Sequence, residues 1–145
     1  MGIVRKLYTI GYEGMELHSF IGTLKAYDVD ILLDVRELPA SRKRGFSKSA
    51  LRAALEAEGI EYRHEKPLGT PKAIRHQVRI DGDYKRFFRA FGRHLAKQDD
   101  VLERLAKELK GNVALMCWEH DYTTCHRLPV SKRFEDLTGK RPIHL

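Results

Sequence analysis

The stretch Asp30–Val35, "DILLDV", decides the fold. It is a continuous apolar run framed by aspartates, with no alternation of polar and apolar side chains. A strand reads this way when helices cover both of its faces, as in a parallel sheet. Upstream, "KLYTI" (Lys6–Ile10) is a second β-type run, closed by Gly11. Between the two, Leu17, Phe20, Ile21 and Leu24 recur at helical spacing and predict an amphipathic helix from about Glu16 to Tyr27.

Downstream, Ser47 stands where an N-cap would, ahead of Leu51, Ala54 and Leu55, and Gly59 stands where a helix C′ glycine would. "IEYRH" (Ile60–His64) reads as a third strand. The segment Glu65–Asp83, with Pro67, Gly69, Pro71 and "DGD", reads as a long surface loop, a kind of segment that often carries function. Phe87, Phe88, Phe91 and Leu95 mark a helix from Tyr84, and Val101, Leu102, Leu105 and Leu109 mark another before Gly111. "NVALMC" (Asn112–Cys117) is a fourth strand. Pro129 falls in the first turn of a last helix bearing Val130, Phe134 and Leu137, and "RPIHL" (Arg141–Leu145) is a short fifth strand. The order β-α-β-α-β-α-α-β-α-β predicts one α/β domain over residues 1–145. Its mostly parallel sheet has four to five strands, with helices on both faces.

A chain of 145 residues buries a core without staples. It shows no membrane-length apolar run and no signal peptide, which points to a cytoplasmic protein. The formal charge of +7 favours anionic partners, either a small molecule or a nucleic acid. Oligomeric state is not legible.

Open parallel sheets bind ligands beyond the carboxyl ends of their strands. At those ends stand Gly11 and Tyr12, then Asp34 and Arg36, then His64, and finally Cys117, Trp118 and Glu119. The loop after the second strand, "RELPASRKRGFS" (Arg36–Ser47), adds Arg42, Lys43 and Arg44 ahead of a helix N-terminus, which suits an anion. Phe46 either stacks on a base or anchors this loop in the core. His18, His94 and His144 read as structural or exposed.

The only two cysteines lie in "VALMCWEHDYTTCHR" (Val113–Arg127). Cys117, His120, Cys125 and His126 match no common zinc spacing, so neither a metal nor any other cofactor is expected. A disulfide is sterically possible, yet cytosolic cysteines default to free thiols. Cys125, just before the last helix and beside His126 and Arg127, is placed to have a lowered thiol pKa. The apolar strand behind Cys117 disfavours its thiolate. Packing alone also accounts for both cysteines. Glu119 either pairs with Arg127 or acts as a general base.

The chain resembles the domain-of-unknown-function family 488. The likeness is carried by "TIGY" (Thr9–Tyr12), "DVRELPAS" (Asp34–Ser41), "GFS" (Gly45–Ser47) and "YRH" (Tyr62–His64) with "LG" (Leu68–Gly69). Cys117 and Glu119, followed by "CHR" (Cys125–Arg127), complete it. Tyr12 stands where many relatives carry histidine. The resemblance implies one constellation made of Asp34, Arg36, Pro39, Ser41, Phe46, Ser47, Gly69, Cys117, Glu119, Cys125, His126 and Arg127, with no assigned activity. "LLDVRE" is also similar to the acidic strand end of rhodanese-type sulfurtransferases, but no short glycine-containing loop follows Cys117.

Three functions are therefore expected, in this order. The first is binding of a phosphate-bearing ligand, a nucleotide or nucleic acid, held by Arg36, Arg42 and Arg127 with Asp34 and Glu119 positioning or activating a group. Tyr12, Ser41, Phe46, Ser47, His64, Gly69 and His126 would line that site. The second is a cysteine-dependent enzyme, sulfurtransferase-like or redox, using Cys117 or Cys125. The third is a non-catalytic interaction module.

Overall fold

Five short strands, each flanked by apolar helical segments, assemble into a single all-parallel sheet in the computed structural model, which describes residues 3–145. The strands are β1 (Val4–Gly11), β2 (Ile31–Asp34), β3 (Glu61–His64), β4 (Gly111–Cys117) and β5 (Pro142–His144), in the order β3-β2-β4-β1-β5. The helices are α1 (Leu17–Ala26), α2 (Lys48–Glu56), α3 (Lys72–Asp81), α4 (Tyr84–Ala96), α5 (Asp99–Glu108) and α6 (Arg127–Thr138).

Alternate residues of the three inner strands β1, β2 and β4 feed two separate cores. Tyr8, Ile10, Leu32 and Met116 meet Phe20 and Leu24 of α1 and Leu51 and Leu55 of α2. Leu7, Leu33, Val113 and Leu115 meet Phe91, Leu102, Leu105, Val130 and Phe134 of α4, α5 and α6. This double burial is why "ILLD" carries no polar face: all four of its residues are buried.

Strand order fixes where a site can lie. β4 pairs with β1 on one side and β2 on the other. The chain leaves β1 and β2 toward the α1/α2 face but leaves β4 toward α6 on the opposite face. In doubly wound sheets such divergence marks the switch-point crevice where ligands bind, and Cys117 ends the central strand at that point.

The segment 65–83 is not the long loop expected from its prolines and glycines. A 3₁₀ turn at Lys66–Leu68 leads into α3, which starts after Pro71 and stops at Gly82 in the left-handed region (φ 62°). Proline at the start and glycine just past the end are the asymmetric helix signals, carried here by a segment with only a narrow apolar stripe. None of the residues of α3 is buried, and its main packing partner is α4. We expect the α3 amides to exchange with solvent well before those of Val113–Met116, through local openings a few kcal/mol below global unfolding. Equal protection of the two segments in a native-state exchange experiment would contradict this.

Candidate functional site

Beneath the crevice, on the α1/α2 side, a polar–aromatic chain runs through the core. Asp34 is fully buried and accepts from the Arg36 backbone N–H (3.1 Å), Arg36 Nε (2.9 Å), Arg36 Nη2 (2.8 Å) and the Tyr62 hydroxyl (2.5 Å). Arg36 Nη1 donates to the Tyr12 hydroxyl (3.1 Å), and the Tyr12 ring stacks on Phe46 with centroids 4.4 Å apart. Burial opposes the Arg36 charge, but the hydrogen bonds and charge of Asp34 outweigh it and push its pKa up. Burial, reinforced by the charge of Asp34, raises the Tyr62 hydroxyl. The residue range of "IEYRH" gave the strand, but not that Tyr62 reaches Asp34; the register Leu32↔Tyr62 and Asp34↔His64 supplies that.

Phe46 is buried and also edges onto Phe20, so its ring is part of the core beneath the loop. Ser47 does not cap α2 with its side chain. Its Oγ accepts from the Ser41 N–H (3.0 Å) and donates to the Ser41 carbonyl (3.2 Å), closing the loop on itself. His64 and His126 hold the backbone after β2 from two sides, on the carbonyls of Arg36 (2.7 Å) and Val35 (2.6 Å). Gly69 passes so close to Glu37 that a Cβ would land on the Glu37 backbone, so a side chain there would push the two segments apart. Arg42 is exposed at the loop's outer side.

On the α4–α6 side, the end of β4 meets the start of α6. Cys117 and Cys125, both buried, bring their sulfurs into bonding contact as a disulfide pair, their Cα atoms 7.6 Å apart. The end of β4 converges there with the residue before the α6 N-cap, which is what brings the two sulfurs together.

Arg127 is fully buried, and it reaches Cys117 rather than Cys125 with its side chain. Its Nη1 lies 3.0 Å from Cys117 Sγ and also donates to the Glu119 carbonyl, while Nη2 donates to the His120 carbonyl at 3.0 Å. Its backbone N–H faces Cys125 Sγ at 3.4 Å. The expected Glu119–Arg127 carboxylate pair does not form: Glu119 offers Arg127 its carbonyl and places Oε2 at 3.2 Å from Cys117 Sγ. Arg127 Nε is buried with no partner, and burial lowers the guanidinium pKa to about 10. Burial also raises the Glu119 carboxyl, against its own backbone hydrogen bond and Arg127, and lowers the His126 imidazole to about 4. Gly11 makes this arrangement possible, since a Cβ on it would fall inside the Glu119 carbonyl and at 3.0 Å from Arg127 Nη1. Sequence reading placed Gly11 at the strand-end rim, without this close approach to Glu119.

Leu38 and Trp118, in the segments after β2 and β4, are exposed. Arg75 of α3 bonds Glu37 Oε1 (3.2 Å) and the Thr70 carbonyl (2.9 Å), and Arg79 is close enough to influence the Glu119 carboxyl.

Fold and site together define a doubly wound α/β protein with a buried cysteine pair at its switch point. The chain belongs to the family of the domain of unknown function DUF488, whose model matches residues 16–134. That span includes Asp34, Arg36, Cys117, Glu119, Cys125, His126 and Arg127, and leaves Tyr12 outside. No curated protein and no solved structure matches the chain. Among the described residues, no helix is long and apolar enough to cross a membrane.

Proposed function

We propose that the protein works through its cysteine pair, as a cytoplasmic dithiol that reduces a small disulfide-bearing molecule entering the crevice, with Cys117 attacking and Cys125 resolving. One observation carries this reading. Among the described residues, no carboxylate lies within salt-bridge distance of the buried Arg127 guanidinium, and its only side-chain hydrogen-bond partner is the Cys117 sulfur. Glu119 and Asp121 favour its charge only from a distance, burial still lowers its pKa, and a thiolate on Cys117 would stabilise it directly.

In the reduced protein, Glu119 Oε2 lies where it accepts the Cys117 proton. The Cys117 thiolate attacks one sulfur of R–S–S–R, and the departing RS⁻ takes that proton from Glu119. Cys125 then attacks Cys117 of the mixed disulfide and expels the second RS⁻, which takes up the Cys125 proton. Two electrons pass from the pair to the substrate, and Cys117–Cys125 is left oxidised.

Ellman's disulfide, an aromatic probe, tests this by absorbance and mass spectrometry. The reduced wild type should release both thiols of the reagent and end oxidised. Cys125→Ser should release one and stop at a mixed disulfide on Cys117. Arg127→Gln should slow the first attack about tenfold, which corresponds to roughly 1.4 kcal/mol. A Cys117→Ser variant reacting like the wild type would refute the assignment.

The phosphate-ligand reading has less support. Arg36 is spent on Asp34, Arg127 on carbonyls and sulfur, and Ser41 and Ser47 on each other, which leaves Arg42 and Arg44 exposed at the loop. Oligonucleotide affinity that falls steeply with salt and is lost in Arg42→Ala would restore it. An interaction module would show neither exchange nor such binding.

A further inference from the structure

We infer that the reduced cysteine pair, together with His126 and Glu119, is a binding site for a thiophilic divalent cation of the zinc class. This uses the same two reduced sulfurs as the exchange reading and assigns them a ligand of their own.

Three buried ligand atoms, one each from Cys117, Cys125 and His126, lie within 4.8 Å of one another. That is the span donors occupy around an ion with bonds of about 2.0–2.3 Å. The Cα atoms stand 7.6 Å apart. Ordinary disulfides hold theirs at about 4.4–6.8 Å, so this backbone leaves the sulfurs room to separate around an ion. Glu119 stands outside that cluster, but its Oε2 is 3.2 Å from Cys117 Sγ, so a turn of its side chain would bring it in as a fourth donor. His120, which the local sequence also offers as a ligand, is exposed, and the carboxylate takes its place.

The surroundings are those that orient metal ligands. The His126 ring bonds the Val35 carbonyl through Nε2 (2.6 Å), an interaction that requires the proton on Nε2 and leaves the Nδ1 lone pair on the side of Cys125 Sγ, 3.8 Å away. A ligating histidine typically donates its other N–H to just such a carbonyl. Each sulfur also faces an N–H of Arg127, Nη1 for Cys117 and the backbone for Cys125.

Charge closes as well. A divalent ion with two thiolates, a neutral imidazole and a carboxylate carries one net negative charge. Arg127, buried and lacking a carboxylate partner, supplies the matching positive one. The cluster is electroneutral where neutrality counts most. Two thiolates and an imidazole select zinc-class ions over magnesium or calcium.

Cobalt(II) is the direct probe, added to phosphine-reduced protein under argon, with zinc competition and metal analysis alongside. The expected result is one ion per chain, the ligand-field bands of tetrahedral cobalt and a sulfur-to-metal charge-transfer band, all displaced by zinc and not by magnesium. His126→Asn and Cys125→Ser should each weaken binding by at least about tenfold, in line with the loss of a metal-site group. Oxidised wild type, which needs no substitution, should show no charge-transfer band. Stoichiometric binding that survives oxidation, or no binding by the reduced protein, would overturn the inference. Disulfide exchange without cobalt uptake sinks the ion site and spares the exchange reading; cobalt uptake by a protein inert to the aromatic disulfide does the reverse.

Discussion

Replacing Asp34 by alanine should cost about 3–5 kcal/mol, the range seen when one member of a buried ion pair is removed. The residue is fully buried and accepts four hydrogen bonds, three from Arg36 and one from Tyr62. Its loss strands the Arg36 guanidinium without a counter-ion and the Tyr62 hydroxyl without an acceptor. A loss of that size is a large part of the stability of an ordinary domain. The loop after β2 should also come free, because the Arg36 backbone N–H is one of the lost donors. Urea unfolding measures this, and the pair can be separated from the single charge. Asp34→Leu combined with Arg36→Met should recover much of the loss, since the uncompensated charge goes with it. A single variant within about 1 kcal/mol of the wild type would mean that the pair contributes little.

Gly11→Ala should be the second most damaging change, at about 3 kcal/mol, the upper part of the range for overpacking. The obstacle is backbone: the added carbon would fall inside the Glu119 carbonyl. The ends of β1 and β4 are tied there by Tyr12 N–H on the Cys117 carbonyl (3.2 Å) and Glu13 N–H on the Trp118 carbonyl (2.8 Å), so no flexible side chain can give way. Gly11 sits in a strand, outside the left-handed region, so the penalty arises from close approach and not from its dihedral angles. The displaced carbonyl is the one that holds Arg127 Nη1. The variant should therefore lose reaction rate with the aromatic disulfide along with stability. A Gly11→Ala protein that melts like the wild type and reacts at the same rate would show that the Cys117–Glu119 turn is free to shift.

Much of the fold is legible because burial on both faces writes itself into composition. "DILLDV" and "NVALMC" can be little else than central parallel strands, and the amphipathic spacing of α1, α4 and α5 follows from their packing on one face. Helix α3 is hidden for the opposite reason. It buries nothing in either core, and the proline and glycine that bracket it, Pro71 and Gly82, look like loop.

The rim was legible as a place, since any doubly wound sheet gathers the same strand ends. Its partnerships were not. Nothing in the spacing says that Arg36 turns back onto Asp34, two residues away, or that Arg127 passes Cys125 to reach Cys117. Those choices are made by strand order, which puts Cys117 opposite Gly11 and Asp34 opposite Met116. The order itself depends on pairing between distant segments, which local periodicity does not encode.

That order also governs how the molecule can be made. β1 and β2 are the first strands synthesised, yet they never touch each other, because β4 must come between them. On a ribosome, β2 can pair with β3 early, while β1 waits, both edges bare, until residues 111–117 have been polymerised. The cysteines and Arg127 belong to that late-arriving stretch, so sheet closure and site assembly are one event. No nascent chain lacking its last quarter can hold a half-built reactive pair, and pairing across so long a separation is a slow step in folding.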